Sequence, residues 1–288
     1  MKVVIIGINS YIGEHIKMHL QKYGHIVTEL DAIGDAYKEY DFTGIDAVIH
    51  VAAIVHEKAK TASELMFYQV NTQLPIAVAN RAKEFGVRLF VFMSTMAVYG
   101  SDKSLPKGNV ITAETPLRPS TLYGKSKLEA EKGLLNLMDK DFKVAVVRPP
   151  NVYGKNCKGN YMEGFKKLAT KLPLFPKAFL QSRQSMVYID NLSELIRLIL
   201  ISEKTGIYTP QDDVIPNSCD LVEMIAKSLK RKTRRSALVG VIISPFGFIP
   251  IVKKIFGGVS YSTELSNSFN NAYQIVSFQD GMIRTFAD

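Results

Sequence analysis

Tyr123 and Lys127 stand four residues apart where a segment rich in helix formers begins, so a helix there carries both side chains on one face. An ammonium beside a phenol favours phenolate, and a phenolate available at working pH is a general base for the proton of an alcohol. The spacing alone is uninformative, because the chain holds a second such pair at Tyr99 and Lys103. Gly100 and Pro106 break any helix there, which leaves Tyr123 and Lys127 as the candidates. Just upstream, an apolar run ends in Ser94-Thr95, and either hydroxyl can hold a substrate oxygen while its proton is moved.

A second string opens the chain. The run KVVIIG leads into Gly7-Ile8-Asn9-Ser10-Tyr11-Ile12-Gly13, with a helix pattern starting inside the loop. Such a turn brings backbone N–H groups and the positive end of a helix to a pyrophosphate, with glycine wherever a side chain would collide. Ser10 stands where the usual three-glycine version has its middle glycine. Asp31 follows at the end of the next apolar run, where a carboxylate accepts hydrogen bonds from ribose hydroxyls and repels a 2'-phosphate. The cofactor is therefore expected to be NAD rather than NADP. Asp41-Phe42 follows a very short segment where a third strand is due, and the pair is expected to border the adenine.

These groups need a scaffold that brings loop and helix together. Apolar runs at 2–7, 25–30, 47–51, 88–93 and 144–147 alternate with helical patterns at 12–23, 64–85 and 126–139. Short loops between them specify a doubly wound α/β parallel sheet, which the run at 144–147 is expected to close. Beyond Pro149 the rhythm breaks into short proline-punctuated segments, with clean helices only at 191–201 and 221–229. The expected division is a cofactor domain at 1–150, with 184–203 returning to it, and a smaller C-terminal α/β substrate-binding lobe from 151–183 and 204–288.

The composition is that of an ordinary globular protein, 47% hydrophobic and 22% charged over 288 residues. Cys157 and Cys219 are too few for a disulfide framework, and Met1 runs straight into a strand pattern, so a reducing cytoplasm is expected. All five histidines lie between His15 and His56, an order that fits no serine-histidine-acid hydrolase. His15 and His19 share a helix face without a third ligand, so no metal site is expected and the face is read as solvated. The net charge of +9 calls for an anionic partner. The stretch 237–252 has no charge, is flanked by basic residues and carries Gly240, Pro245, Gly247 and Pro250. It is too short and broken to span a bilayer, and suits a peripheral membrane contact through 230–254, a buried part of the second lobe or a subunit contact. RNA is disfavoured as a partner, because the basic residues at 227–235 are not interleaved with aromatics.

Five strings occur in the order seen in one family: 7–13, Val48-Ile49-His50-Val51-Ala52-Ala53, Ser94-Thr95-Met96-Ala97-Val98-Tyr99-Gly100, 123–127, and Arg148-Pro149-Pro150-Asn151-Val152-Tyr153-Gly154. With them the chain resembles the extended short-chain dehydrogenase/reductases, and among these the NAD-dependent nucleotide-sugar epimerases. The resemblance implies a Rossmann-type domain and a Thr95, Tyr123, Lys127 triad. It implies that Val51, Ala52, Ala53, Ser94 and Pro150 border the cofactor together with Tyr123 and Lys127. Asn151 matches a residue that contacts the nucleotide diphosphate, and Asn71 one that supports the active site. Where the family has a diphosphate-binding arginine this chain has Gln184, so Arg183, one residue earlier, becomes the candidate. Dehydratases of the family carry Asp-Glu after the threonine, and Met96-Ala97 here disfavour dehydration. The implied activity is 4-epimerisation of a UDP-sugar for surface polysaccharide synthesis, with 4-ketoreduction or a lipid-linked sugar as alternatives. An idle NAD-binding module with RNA affinity is the non-enzyme alternative. The family implies a homodimer packed through the helices at 64–85 and 126–139.

Overall fold

In the computed structural model, which describes residues 1–32, 34, 36–55, 63–100, 104–157 and 160–286, the apolar runs of the first half become parallel strands. His56 and Lys103 lie outside the described residues. The strands are β1 (Lys2–Ile6), β2 (Ile26–Leu30), β3 (Ala47–His50), β4 (Leu89–Met93), β5 (Asn109–Ile111), β6 (Lys143–Val147), β7 (Asn151–Tyr153), β8 (Leu174–Pro176), β9 (Met186–Tyr188), β10 (Gly206–Tyr208), β11 (Arg234–Ser236) and β12 (Val259–Tyr261). Among the described residues the main sheet has six strands in the order β10-β6-β4-β3-β1-β2. The pairs β5-β12, β7-β9 and β8-β11 lie apart from it.

Alternation along each strand splits the core into two layers. Val3 and Ile5 of β1 join one apolar cluster and Val4 and Ile6 the other, so the strands read as unbroken apolar runs because helices cover both faces. The first half supplies α1 (Tyr11–Lys22), α2 (Ala36–Glu39), α3 (Glu64–Tyr68), α4 (Leu74–Glu84) and α5 (Leu122–Leu135). The later chain supplies α6 (Asn160–Lys171), α7 (Ile189–Ser202), α8 (Ser218–Ser228), α9 (Ala237–Ile243), α10 (Pro250–Phe256), α11 (Thr263–Ser266) and α12 (Phe278–Phe286). Because the chain leaves β1 for β2 on one side and returns to β3 on the other, a crevice opens at the carboxyl ends of β1 and β3.

Four expectations change. In place of a third strand just before Asp41-Phe42 the described residues form α2, and Phe42 is fully buried among Tyr40 and Phe85. The helix expected at 64–85 is interrupted by a π-helical turn, Gln69–Gln73, between α3 and α4. The sheet does not close at Val147, since β10 pairs in parallel with β6; three residues were too short to show in the apolar pattern. The helix face bearing His19 is not solvated: His19 Nε2 lies 2.7 Å from Glu194 Oε2, clasping α1 to α7. Among the described residues no helix is long and apolar enough to cross a membrane.

Candidate active site

The crevice begins with Gly7. Its φ is +124°, and a Cβ there would stand 3.0 Å from the Ala52 nitrogen and 3.1 Å from Val51 Cγ2. The end of β1 and the strand-to-loop exit of β3 thus approach as closely as backbone allows, which only glycine permits. Ser10, in the place of a middle glycine, caps α1: its Oγ accepts from the Gly13 nitrogen at 3.3 Å. Asn9 takes up a left-handed conformation beside it, and Tyr11 and Ile12 open the helix. Asp31 stands half-buried directly after β2. Val51 and Ala52 both donate to the Ile6 carbonyl, at 3.1 and 3.0 Å, which fixes the 51–53 wall of the crevice. Asp41 is exposed and bonded to the Thr43 nitrogen at 2.9 Å, and the buried Phe42 ring leaves only its backbone for an adenine. A floor that any Cβ would fill, below a helix N-terminus and flanked by Asp31, fits the diphosphate and ribose of NAD.

Across the crevice, Thr121 caps α5 by accepting from the Gly124 nitrogen at 3.1 Å, so Tyr123 and Lys127 sit in its first two turns. Ser94 and Thr95 part ways after β4. Thr95 starts a 3-10 turn, Met96–Tyr99, and its hydroxyl hydrogen-bonds the phenol of Tyr123. Ser94 is buried and donates to Glu131. Burial pushes the Tyr123 phenol up to about 12, with the Thr95 hydroxyl pulling the other way. Lys127 is buried, donates to the Met93 carbonyl at 2.8 Å and lies 4.5 Å from the centre of the Phe92 ring. Burial draws its ammonium down to about 7, opposed by the charge of Glu131. Positive charge brought into the crevice would draw the phenol back down.

Beneath the pair lies a buried network that composition did not announce. Glu131 accepts from Arg148 twice, at 3.0 Å from Nε and 2.6 Å from Nη2. Arg148 also donates to the Tyr99 hydroxyl at 2.7 Å, and its carbonyl accepts from Tyr261 at 2.8 Å. Tyr99, the tyrosine of the discarded pair, is therefore tied to an arginine through its hydroxyl. The signal for Glu131 was its place one helical turn beyond Lys127 on the same face. Asn71, in the π-helical turn, accepts from the Ile54 nitrogen at 2.8 Å and donates to the Ser126 hydroxyl at 3.1 Å. It links the loop after β3 to α5.

The substrate candidates are more dispersed. Pro150 and Asn151 follow β6, with Asn151 opening β7 and half-buried. A Cβ on Gly154, just beyond, would collide with the Tyr11 hydroxyl, so this loop lies against the start of α1. Arg183 is exposed and its guanidinium donates to the Ile215 carbonyl at 2.8 Å. Gln184 is buried and bonds within the lobe, to the Ser185 carbonyl and the Val259 nitrogen.

A phenol, a lysine and a threonine thus stand across the crevice from a glycine-floored turn at a helix N-terminus, on a doubly wound parallel sheet. Residues 3–200 match the model of the NAD dependent epimerase/dehydratase family, and the chain belongs to that family. It is accordingly an enzyme whose family cofactor is NAD. The chain is 30% identical over 210 residues to a UDP-glucose 4-epimerase of Vibrio cholerae, covering 70% of this chain and 63% of that protein. It is 27% identical over 249 residues to an Escherichia coli O157:H7 protein, N-acetyl-alpha-D-glucosaminyl-diphospho-ditrans,octacis-undecaprenol 4-epimerase, covering 80% of this chain and 73% of that one. The fold matches that of a Thermus thermophilus UDP-glucose 4-epimerase, solved with NAD, at a TM-score of 0.72 and 20% identity over 99% of this chain and 98% of that one.

Proposed function

We propose that this enzyme is an NAD-dependent nucleotide-sugar 4-epimerase that transiently oxidises carbon 4 of a UDP-sugar, in surface polysaccharide biosynthesis. The observation that carries the reading is the Tyr123 phenol, bonded to Thr95 and one helical turn from the Lys127 ammonium, beside a floor shaped by Gly7. Relatives of both UDP-linked and lipid-linked type carry 4-epimerase names, which supports this position of attack.

Thr95 would orient the carbon-4 hydroxyl toward Tyr123, and Tyr123 would take its proton as the carbon-bound hydride leaves, giving a 4-ketone. Lys127 would hold charge near the phenolate. The turn from Gly7 to Gly13 together with Asp31 would hold NAD, which would supply reversible hydride exchange beside carbon 4. Tyr123 would then give its proton back, so no reductant is consumed. Asn151 and Arg183 are proposed to hold the nucleotide diphosphate, and Asp31 the adenosine ribose.

A lipid-linked sugar is the second reading, favoured by the similarity to the undecaprenol-linked 4-epimerase over 80% of this chain. A net 4-ketoreductase would use the same three residues. We further propose a cytoplasmic homodimer packed through the α3–α4 and α5 helices, and a membrane contact through 230–254. The exposed Leu65, Met66 and Tyr68 of α3 support the dimer.

The test is product analysis with UDP-glucose, UDP-N-acetylglucosamine and a UDP-4-keto sugar, each with and without NADH. Interconversion of 4-epimers without NADH loss is expected, and Tyr123→Phe should abolish it while leaving NAD binding intact. Unchanged turnover in Tyr123→Phe would overturn the assignment, and stoichiometric NADH consumption with the keto sugar alone would make the enzyme a reductase.

A further inference from the structure

Residues 224–263 contain no Asp or Glu and eight Lys or Arg, so nearly all of the net charge of +9 resides in forty residues of the second lobe. Within them the uncharged stretch 237–252 folds into α9, a 3-10 turn, Ser244–Phe246, and α10. One side of this unit is anchored. Gly240 presses against the Lys177 carbonyl, where any side chain would collide, and Phe256 packs with Phe175 and Phe179. Ile243, Val252 and Ile255 pack against the main core.

The other side is open. Leu238, Val241 and Phe248 are 74, 71 and 73% exposed, and Ile242, Phe246 and Ile251 are exposed beside them. The alternative expected from sequence, a buried part of the lobe, is thus met by only half of the unit. Arg231, Lys232 and Arg234 precede the apolar face and Lys253 and Lys254 follow it, all exposed. Arg235 turns back, paired with Asp220 and Glu223, and the Arg231 guanidinium donates to the Thr170 carbonyl at 3.1 Å. Apolar side chains between two groups of cations, with no acid among them, match the two layers of an anionic lipid leaflet: acyl chains below and negative headgroups at the rim. A second copy of this face would oppose cation to cation, which disfavours self-association through it.

We infer that α9 and α10 form a foot that seats the enzyme on an anionic bilayer surface. Leu238, Val241, Ile242, Phe246 and Phe248 enter the headgroup boundary, and the flanking cations meet the lipid phosphates. This gives the proposed membrane contact a definite face, and it stands whether the sugar is nucleotide-linked or lipid-linked.

The experiment is co-sedimentation of the full chain with vesicles of phosphatidylethanolamine and phosphatidylglycerol, and of phosphatidylcholine alone, at low and high salt. Binding to the anionic vesicles is expected, weakening with salt. Neutralising Lys253 and Lys254 together should weaken it at low salt by about fivefold per charge. The triple variant Leu238→Ser, Val241→Ser, Phe248→Ser should bind at least about tenfold less at either salt, because the buried apolar area is gone. These side chains face solvent, so melting temperature and turnover of a soluble UDP-sugar should not change. Vesicle binding that is absent in the parent, or equal in the triple variant, overturns the inference. So does a parent dimer that the triple variant dissociates, which would make the face a contact between copies. Lost turnover with vesicle binding intact would count against the proposed reaction, not against the foot.

Discussion

Replacing Glu131 with Gln keeps the volume beneath the active site and removes one buried negative charge. Arg148 and Glu131 are 4 and 2% exposed in their side chains, and two hydrogen bonds join them. Leaving one member of such a pair without its counter-charge costs about 3–5 kcal/mol. For a chain of this size that corresponds to a fall of about 5–8 °C in melting temperature. The same charge supports the Lys127 ammonium against burial. Without it the lysine loses its proton more readily at neutral pH, and a fall of one pKa unit leaves about a tenth of the ammonium to stabilise the Tyr123 phenolate. Turnover at pH 7.5 should drop by about tenfold. The double variant Glu131→Leu, Arg148→Met separates the effects. An apolar pair of similar volume should restore most of the stability, since buried ion pairs gain little over packed hydrocarbon, while turnover stays low. Urea denaturation and steady-state rates on the same preparations decide it. A single variant that melts within about 2 °C of the parent, or a double variant with parental turnover, would refute the reasoning.

Gly7→Ala should fold yet bind NAD at least about tenfold more weakly, because its φ of +124° and the Ala52 nitrogen 3.0 Å from the new methyl both oppose it; calorimetric titration with NAD measures this, and parental affinity would remove the cradle from the site. His50 is fully buried on β3, its ring nitrogens find no hydrogen-bond partner among the described residues, and burial lowers it from 6.5 to about 3, with Lys127 adding to the effect. The unfolded chain therefore takes up this proton first: stability is complete above pH 6.5 and is lost as pH falls toward 3, by about 2 kcal/mol at pH 5. His50→Leu should flatten that loss, and urea midpoints at pH 7.5 and 5 that shift equally in parent and variant would contradict it.

The core strands and the cofactor turn were legible because each rests on a local rule. Unbroken apolar runs mark strands covered on both sides, and glycines mark the floor that Val51 and Ala52 approach. The helix that carries Tyr123 and Lys127 was legible from its run of helix formers. Ser94 and Thr95 could not be separated from sequence, since only the turn after β4 sends one to Glu131 and the other to Tyr123. Glu131, Arg148, Tyr99 and Tyr261 come from four separate segments and meet through Arg148, and long-range polar contact leaves no periodic trace. Helix propensity at 64–85 gave no warning of the π-helical turn, because one extra residue in the coil leaves composition unchanged. β10 was missed for the same want of length.

The late arrival of β10 bears on how the enzyme is made. β6 is the strand from which Arg148 departs, and the Arg148 nitrogen donates to the Tyr208 carbonyl at 2.7 Å. A ribosome delivers β1 to β6 in order, yet the outer edge of β6 has no partner until residues 206–208 emerge. Until then the growing chain shows an unpaired, apolar parallel edge beside its own active-site loop, the kind of edge on which foreign strands add. The three residues of β10 thus act as a stopper for the nascent sheet, and chains halted shortly before them should be the aggregation-prone products of incomplete synthesis.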